Sequence, residues 1–207
     1  MKEHYQERDI QKYFSEKFSS FGPTPMGLDW NSEDSQVVRF DQISKIIDPS
    51  IRYSIIDYGC GYGAFYDYLA SKGHQFEFFG YDIVNEMIET GRQIHQGATN
   101  FNLTSIRDDL ETADYVVESG IFNIKLNTDD HEWTEHVKNT LDQFNQLSRK
   151  GFAFNMLTKY SDKEFMRDDL YYADPCFYFD LCKTNYSKNV ALLHDYQIYD
   201  FTILVRK

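Results

Sequence analysis

Apolar and polar positions along this chain follow two periods, one typical of buried strands and the other of amphipathic helices. Short apolar runs rich in β-branched and aromatic residues alternate with longer segments of helical spacing. Such alternation predicts a doubly wound, mainly parallel α/β sheet, because parallel strands need long crossovers between them. The runs that predict strands are 54–56, 76–82, 100–103, 114–119, 150–157, 190–194 and 199–205. A very short connection joins the last two, which therefore predict an antiparallel hairpin at the end of the sheet.

Between these runs, the spacing of apolar residues predicts the helices. They are expected at 2–18, 35–47, 64–70, 84–95, 134–147 and 177–183. The second has N-cap candidates in Asn31, Ser32 and Asp34 and must end before Pro49. The segment 158–178 is rich in charge and tyrosine, and we expect it to leave the sheet as a lid-like excursion.

The first predicted strand runs into a turn with glycines at alternate positions, Gly59, Gly61 and Gly63. Glycine tolerates positive φ and lets a ligand approach the backbone closely. A strand, a glycine turn and a helix in that order form a nucleotide-binding corner. Gly59-x-Gly61-x-x-Ala64 also satisfies the loose dinucleotide fingerprint. However, Asp57 places a carboxylate before the turn, where it would repel a pyrophosphate and suit a ligand that carries an ammonium group.

The string Asp57-x-Gly59-x-Gly61-x-Gly63 resembles the first motif of the class I S-adenosylmethionine-dependent methyltransferases. The resemblance implies a three-layer α/β/α sandwich whose seven-stranded, mostly parallel sheet ends in an antiparallel hairpin. It also implies S-adenosylmethionine as the cofactor and S-adenosylhomocysteine as its product. The turn residues that would bind the cofactor are Asp57, Gly59, Cys60, Gly61, Tyr62 and Gly63.

An acidic residue at the tip of the second predicted strand, Asp82, is the expected ligand of the cofactor's ribose hydroxyls. It can also cap the next helix, and the two roles are compatible. In the methyltransferase family the residue after this acid usually packs on the adenine, which gives that role to Ile83, with Met87 one helical turn beyond. Contacts to the adenine amino group are expected after the third strand, at Ser105 and Ile106, although the Gly-Asp pair familiar there is absent.

The end of the fourth predicted strand, at Glu118, Ser119 and Gly120, should face the ligand, because ligands of open α/β sheets bind at the carboxyl ends of the strands. We expect these residues to meet the methionine part of the cofactor and the methyl acceptor. Asn123, shortly after them, would orient the acceptor by hydrogen bonds, and its alternative role is that of a turn residue.

The resemblance extends along almost the whole chain to a group of small bacterial methyltransferases of unassigned substrate. The shared strings are Gly27-Leu28-Asp29-Trp30-Asn31-Ser32 with Ser35-Gln36 and Arg39-Phe40, Glu118-Ser119-Gly120-Ile121-Phe122-Asn123, and His194-Asp195-Tyr196. Arg39 would bind the cofactor's carboxylate bidentately, with Gln36 one turn before it and Trp30 closing the pocket. The alternatives are an exposed helix ion pair for Arg39 and a core anchor for Trp30.

Methyl transfer to a hydroxyl needs a base, and His194 is the first candidate because it ends a predicted strand at the same sheet edge as the glycine turn. His131, among acidic neighbours, is the rival. Further acceptor contacts are expected from Asn123, Asn155, Tyr160 and Tyr196. No metal is expected, because neither acidic pair, 108–109 or 168–169, lies where oxygen ligands would converge.

The composition of the chain indicates which classes of partner it is not expected to bind. A formal net charge of −12, with 33 acidic and 21 basic residues and no basic run, argues against nucleic acid. Three cysteines without zinc-like pairing and no run of 18 apolar residues predict a cytoplasmic protein with no membrane partner, as a monomer or homodimer. The length predicts one methyltransferase domain, 1–207. Its parts are a helical cap at 1–50, a cofactor-binding core at 51–157, a lid-like insertion at 158–183 and a terminal hairpin at 184–207.

The expected function is S-adenosylmethionine-dependent methylation of a small-molecule acceptor, with O-methylation of a sugar-like or secondary metabolite preferred. N-methylation of a small amine is one alternative, since an acidic surface attracts amines. A non-catalytic S-adenosylmethionine or nucleotide binder is the other.

Overall fold

The computed structural model describes residues 3–207, with side chains from Glu7 onward. Within that range seven strands form one sheet. In chain order they are β1 Tyr53–Tyr58, β2 Phe76–Tyr81, β3 Phe101–Thr104, β4 Ala113–Ser119, β5 Ser148–Leu157, β6 Asn189–Leu193 and β7 Asp200–Arg206. Their spatial order is β3-β2-β1-β4-β5-β7-β6, and β7 lies antiparallel between β5 and β6 while the others run parallel. The predicted mostly parallel sheet with an antiparallel terminal hairpin is confirmed.

Six α-helices of the described residues connect and cover the strands. They are α1 Glu3–Phe21, α2 Glu33–Ile43, α3 Ala64–Ser71, α4 Asn85–Ile94, α5 Asp130–Leu147 and α6 Pro175–Asn185. Short 3-10 turns lie at Pro25–Leu28, Ser44–Ile46, Arg107–Asp109 and Lys163–Phe165. Every predicted helix is present, and residue 2, the predicted start of the first, lies outside the described residues.

Three helices, α2, α5 and α6, begin earlier than the apolar spacing predicts, and capping explains the early starts of α5 and α6. The side chain of Asp129 accepts a hydrogen bond from the backbone N of His131 at 2.9 Å, so α5 begins before the predicted Thr134. The side chain of Asp174 accepts from the backbone N of Cys176 at 2.9 Å, and a proline follows in the first helical position of α6. Side-chain capping extended both helices beyond their apolar stripes.

Helices cover both faces of the sheet, as a parallel sheet requires. On one face, Trp133 of α5 and Tyr178 of α6 belong to the same apolar cluster as Phe154 of β5. On the other face, Phe65 of α3 belongs to a cluster with Ile55 of β1. Burying each such large side chain contributes about 2 kcal/mol to folding.

The N-terminal helix α1 is held to the carboxyl edge of the sheet by polar side chains. Gln11 Nε2 donates to the carbonyl oxygen of Ile83 at 2.8 Å. Tyr13 Oη donates to Asp29 Oδ2 at 2.8 Å, and Lys17 Nζ lies 2.6 Å from the other oxygen of that carboxylate. These contacts fix α1 across the loops that follow the strands.

The segment 158–174 leaves the sheet after β5 and returns at α6. Isolated β-bridges tie it down, one between Ile124 and Leu170 and one between Thr158 and Ala173. The excursion begins at the predicted residue 158 and ends where α6 begins at Pro175, and its function as a lid stays a prediction.

Two further features of the described residues concern membrane-spanning helices and cysteine thiols. None of their helices is long and apolar enough to cross a membrane. The cysteines are free thiols, of which Cys60 and Cys182 are buried and Cys176 is exposed. Burial raises the pKa of the Cys182 thiol to about 12, which suppresses the reactive thiolate there.

Candidate functional site

A cavity of about 240 Å³ lies at the carboxyl ends of the parallel strands, the edge where open α/β sheets bind their ligands. Its walls include residues of α1, α2, α5 and the 158–174 segment. The strand-end residues that line it are Tyr58 and Gly59 after β1, Tyr81 and Asp82 after β2, and Ser119 and Gly120 after β4. The cavity is the candidate site.

The glycine turn between β1 and α3 has a backbone that other residues adopt only with strain. Gly59, Gly61 and Gly63 have φ values of 87°, 55° and 99°. A Cβ on Gly59 would lie 2.1 Å from Cγ2 of Ile121, so neither the conformation nor the space admits a side chain. The backbone N of Gly59 donates to the carbonyl oxygen of Tyr81 at 2.7 Å, which ties the turn to the end of β2.

Asp82 connects the same turn to the start of α4. Its Oδ2 accepts from the backbone N of Gly61 at 2.9 Å, and its Oδ1 accepts from the backbone N of Val84 at 2.9 Å. Burial raises the pKa of Asp82 to about 6, although these two donors act in the opposite direction. Each carboxylate oxygen can accept a second hydrogen bond, so the group keeps capacity for a pair of hydroxyls in the cavity.

Two more carboxyl groups lie buried behind the turn. Burial, and then the charge of Asp82, raises the pKa of Asp57 to about 8. Burial raises the pKa of Glu118 well above its usual range, against the pull of backbone donors that include Ile121 and Asn155. Glu118 Oε1 accepts from Asn155 N at 2.9 Å, and Oε2 accepts from Ile121 N at 3.1 Å. The three carboxyl groups form an acidic region beneath the cavity, in which burial favours the protonated form until a positive charge is bound.

The residues present fit S-adenosylmethionine, the cofactor that the sequence resemblance implies. Within the described part of the chain, Asp57, Asp82 and Glu118 form no ion pair with Lys, Arg or His. A ligand with ammonium and sulfonium charges would supply the missing positive charge. The glycine turn provides the close backbone approach, and Asp82 provides acceptors for the ribose. The carboxyl groups, the close approach that the glycine turn allows and the hydrogen-bond acceptors of Asp82 therefore all fit S-adenosylmethionine.

The other end of the cavity is assembled from distant segments. His136 lies on the lining face of α5, with its ring 4.9 Å from the ring of Trp133 at an interplanar angle of 33°. Asn123 Oδ1 accepts from the backbone N of Leu157 at 2.9 Å. This bond fixes the amide, so its Nδ2 remains to donate into the cavity. A histidine and an amide thus both line this cavity.

The predicted site residues divide into two sets. Those that line the cavity are Trp30, Arg39, Gly59, Asp82, Ile83, Met87, Ser119, Gly120 and Asn123. Those outside its lining are Gln36, Asp57, Cys60, Gly61, Tyr62, Gly63, Ser105, Ile106, Glu118, His131, Asn155, Tyr160, His194 and Tyr196. Several residues outside the lining support those within it through hydrogen bonds that involve backbone N atoms, as the glycine turn does with Asp82 and as Glu118 does with Ile121.

Neither predicted histidine lies in the lining. His194 is exposed after β6 at the edge of the sheet, where its ring lies 6.0 Å from that of Tyr160 and 6.2 Å from that of Phe201. His131 is exposed at the first turn of α5. Sequence reasoning missed His136. The signal was its position three residues after Trp133 and four before Thr140, which puts all three on one helix face.

The loop after β3 contributes a different residue from those expected. Ser105 donates to Asn85 Oδ1 at 3.3 Å, and Ile106 is 58% exposed. Arg107 lines the cavity instead, where it forms an ion pair with Glu7 of α1. The adenine contacts predicted for the first two residues therefore lack support from the cavity lining.

The remaining acceptor candidates lie outside the cavity lining. Asn155 is fully buried, and its Nδ2 donates to Ser119 Oγ at 3.1 Å. The hydroxyl of Tyr196 is hydrogen-bonded to that of Thr202 at 2.8 Å, and Tyr160 is 62% exposed. Among the described residues, no group of three or more His, Cys, Asp or Glu side chains could hold a metal ion.

Arg39 lines the cavity, but its guanidinium is already engaged. It pairs with Asp200 and with the backbone oxygen of Ser35. The bidentate carboxylate contact that the sequence predicts would have to displace this pair.

Comparison with known proteins agrees with this reading. A family model described as a methyltransferase domain matches residues 55–151. Rv1506c of Mycobacterium tuberculosis, whose name provisionally describes it as a methyltransferase, is 52% identical over 164 residues, which are 79% of this chain and 98% of that protein.

Solved structures share the fold. Human N-acetylserotonin methyltransferase in complex with SAM has a TM-score of 0.63 at 14% identity, over 84% of this chain and 53% of that one. A DhpI complex with SAM and HEP has a TM-score of 0.59 at 13% identity, over 95% and 94%. This chain therefore spans about half of the human enzyme. At such identities the likeness shows the fold alone.

Proposed function

This chain belongs to the class I S-adenosylmethionine-dependent methyltransferases, and from that membership we propose that it methylates a hydroxyl group of a small molecule. The observation that carries the proposal is that His136 and Asn123 both line the cavity, where the backbone N of Leu157 holds the amide oxygen of Asn123. A histidine can accept a proton at neutral pH, and a fixed amide can hold the oxygen that is to be methylated or its neighbour.

The cofactor would lie along the strand ends. Its ribose would bind Asp82, its adenine would pack between Ile83 and Met87, and its methionine part would reach Ser119 and Gly120. Bound S-adenosylmethionine supplies a methyl group that is already activated. The protein then has three tasks: to align the acceptor oxygen, to take its proton and to exclude water.

The covering segments support a small acceptor. Ile10 and Phe14 of α1 line the cavity from one side, and Arg167 and Leu170 of the 158–174 segment line it from another. A macromolecular acceptor would have to displace both segments before it reached the strand ends. A small molecule needs only their opening and closing.

The charges in the cavity favour a hydroxyl over an amine. The lining acids of the covering segments are paired: Glu7 with Arg107, and Asp29 with Lys17. Glu118, which could otherwise attract an amine, is fully buried and accepts backbone hydrogen bonds. N-methylation therefore has fewer groups to support it than O-methylation, and the non-catalytic alternative gives no task to His136.

The first test is calorimetric titration with S-adenosylhomocysteine, with NAD as a competing ligand. We expect binding of the first and not of the second. Asp82→Ala should weaken the binding of S-adenosylhomocysteine roughly 30-fold, since a charged hydrogen-bond acceptor is lost. Asp108→Ala is the matched control, because Asp108 is an exposed acid in a neighbouring loop, and it should leave the affinity unchanged. Binding of NAD alone would contradict the assignment.

The second test is an acceptor screen with labelled S-adenosylmethionine, using matched hydroxyl and amine compounds. Methylation of hydroxyl compounds that slows below pH 6 is expected from a histidine base. Methylation confined to amines would overturn the preference for O-methylation. Tight cofactor binding without transfer to any compound, even in the presence of simple phenols and sugars, would favour the non-catalytic alternative.

A further inference from the structure

A buried ion pair joins two parts of the chain that are far apart in sequence. Arg39 of α2 donates from Nε to Asp200 Oδ1 at 3.1 Å and from Nη2 to Asp200 Oδ2 at 2.6 Å. Its Nη1 donates to the backbone oxygen of Ser35 at 2.7 Å. The side chain of Asp200, the first residue of β7, is completely buried. This two-pronged geometry fixes the plane of the guanidinium as well as its place.

The fixed guanidinium lies against an aromatic wall of the cavity. Cζ of Arg39 is 4.4 Å from the centre of the Trp30 ring, which is stacking distance for a cation on an indole. The far edge of that indole meets Gly120, where a Cβ would approach Trp30 Cη2 to 2.5 Å. Arg39, Trp30 and Gly120 all line the cavity. Contact therefore runs without a gap from Asp200 to the end of β4.

We propose that Asp200 is a positioning residue for methyl transfer, which holds Arg39 against Trp30 and neutralises its charge beside the cofactor's sulfonium. The inference rests on the proposed function, in which the methionine part of the cofactor lies at Ser119 and Gly120. Asp200 does not line the cavity, so it acts on the ligand only through Arg39.

The need for neutralisation follows from the charge of the cofactor. S-adenosylmethionine carries a positive sulfur, and S-adenosylhomocysteine carries a neutral one. An arginine in the wall of a cavity repels the first and is indifferent to the sulfur of the second, and this repulsion is strong where water is excluded. With Asp200 bound, the wall presents a neutral pair. Without Asp200, Arg39 would select against the substrate and in favour of the product.

The test compares the affinities of these two ligands in matched variants. Asp200→Asn should raise the ratio of the S-adenosylmethionine Kd to the S-adenosylhomocysteine Kd roughly tenfold. The double variant Arg39→Gln/Asp200→Asn has neither charge and should return the ratio to within about twofold of the original. The matched control is Asp114→Asn, because Asp114 pairs with Arg149 and Lys150 at the opposite edge of the sheet. It should leave the ratio unchanged.

Arg39→Gln alone removes the cation, so the ratio should not rise as it does in Asp200→Asn. It should fall below that of the original protein at a pH where Asp200 is ionised, and should equal that of the double variant where the buried carboxyl takes up a proton. This variant decides the question even if Asp200→Asn fails to fold, which circular dichroism would reveal. If Asp200 has a purely structural role, every variant should lose affinity for both ligands equally, and that outcome overturns the inference. Failure of the unmodified protein to bind either ligand would instead defeat the proposed function.

Discussion

The two ends of the cavity are built in different ways. At the cofactor end, the residues 57–63 and 82–87 lie in two short stretches. Hydrogen bonds hold them together, such as the one from the backbone N of Gly61 to Asp82 Oδ2. At the acceptor end, Asn123 and His136 are joined by side chains from α1 and the 158–174 segment. The first end depends on local sequence, while the second depends on how the whole chain packs. A fold can therefore keep its cofactor while its acceptor changes.

The two ends also differ in charge. The carboxyl groups beneath the cofactor turn have no cationic partner among the described side chains, and burial raises the pKa of Asp57 to about 8. At the acceptor end the charged side chains are paired, as Arg167 is with Asp169 at 2.5 Å. The cofactor end therefore has carboxyl groups that a positively charged ligand could pair with, whereas the charged side chains of the acceptor end already have partners. The four predictions below test this division.

The largest expected effect is at the acceptor end, where the proposed base would take the proton of the acceptor. His136→Gln should slow methyl transfer roughly 100-fold, because loss of a general base usually costs two orders of magnitude or more. The affinity for S-adenosylhomocysteine should stay within about twofold. Transfer rates from single-turnover assays, together with calorimetric affinities, would separate the two effects.

The control for this prediction is His194→Gln. His194 is exposed and outside the cavity lining, so its replacement should leave the transfer rate unchanged. If His194→Gln slows transfer and His136→Gln does not, the base lies at the sheet edge and the acceptor end has been assigned wrongly.

The next largest effect is at the cofactor end. Gly59→Ala should weaken S-adenosylhomocysteine binding roughly 30-fold, because alanine is strained at a φ of 87° and its Cβ would collide with Ile121. Gly73→Ala is the matched control. Gly73 also has a positive φ, 77°, but nothing lies within 4 Å of its Cβ position. The control should lose stability without losing affinity. Equal losses of affinity would mean that strain alone explains the effect.

The same division explains what could be predicted from the sequence. The sheet, the glycine turn and Asp82 were predictable, because the signal for each lies within a few residues. The histidine that lines the cavity, His136, was not. The apolar spacing predicts α5 only from Thr134, and the acidic residues before it direct attention to His131. The helix face that Trp133 shares with His136 does not follow from that spacing. An aspartate cap at residue 129, rather than apolar spacing, sets where that helix begins.

Long-range partners were equally invisible to local patterns. The guanidinium of Arg39 pairs with Asp200, 161 residues away. A sequence motif indicates that Arg39 is near a ligand site, but it cannot show whether the guanidinium pairs with a carboxylate of the ligand or with an acidic side chain of the protein. The contact of Arg107 with α1 is similar, since Glu7 lies 100 residues before it. Pairs of this kind are decided by tertiary packing and need the fold.

A smaller effect is expected at the helix that covers both ends. Glu7→Gln removes the ion pair between α1 and Arg107. Both side chains are more than a third exposed, so the pair contributes little to stability. We expect the dissociation rate of S-adenosylhomocysteine, measured by stopped-flow fluorescence, to rise about threefold.

Glu16→Gln is the control on the same helix. It removes the ion pair with Lys12, in which both side chains are largely exposed. No change in the dissociation rate is expected. If both variants speed release equally, general loosening of α1 explains the result and the specific contact with Arg107 does not.

The smallest effect concerns pH at the cofactor end. Because burial raises the pKa of Asp57 from 3.8 to about 8, the free protein holds a proton there near pH 6. The folded state therefore binds more protons than the unfolded chain, and its stability should fall as pH rises from 3.8 towards 8. A cationic ligand prefers the ionised carboxylate. Its affinity should consequently change in the opposite direction and rise over the same range.

S-adenosylmethionine should therefore bind about threefold more tightly at pH 8 than at pH 6, and the gain should level off only above about pH 9, where Asp57 is ionised in the free protein as well. Asp57→Asn should flatten the profile, because an amide cannot ionise. Asp82 has a pKa of about 6, so any slope that survives the substitution should lie below pH 7. An unchanged slope in Asp57→Asn would place the titrating group elsewhere. It would also mean that the buried acids are structural, and that the cofactor end differs from the acceptor end in shape alone.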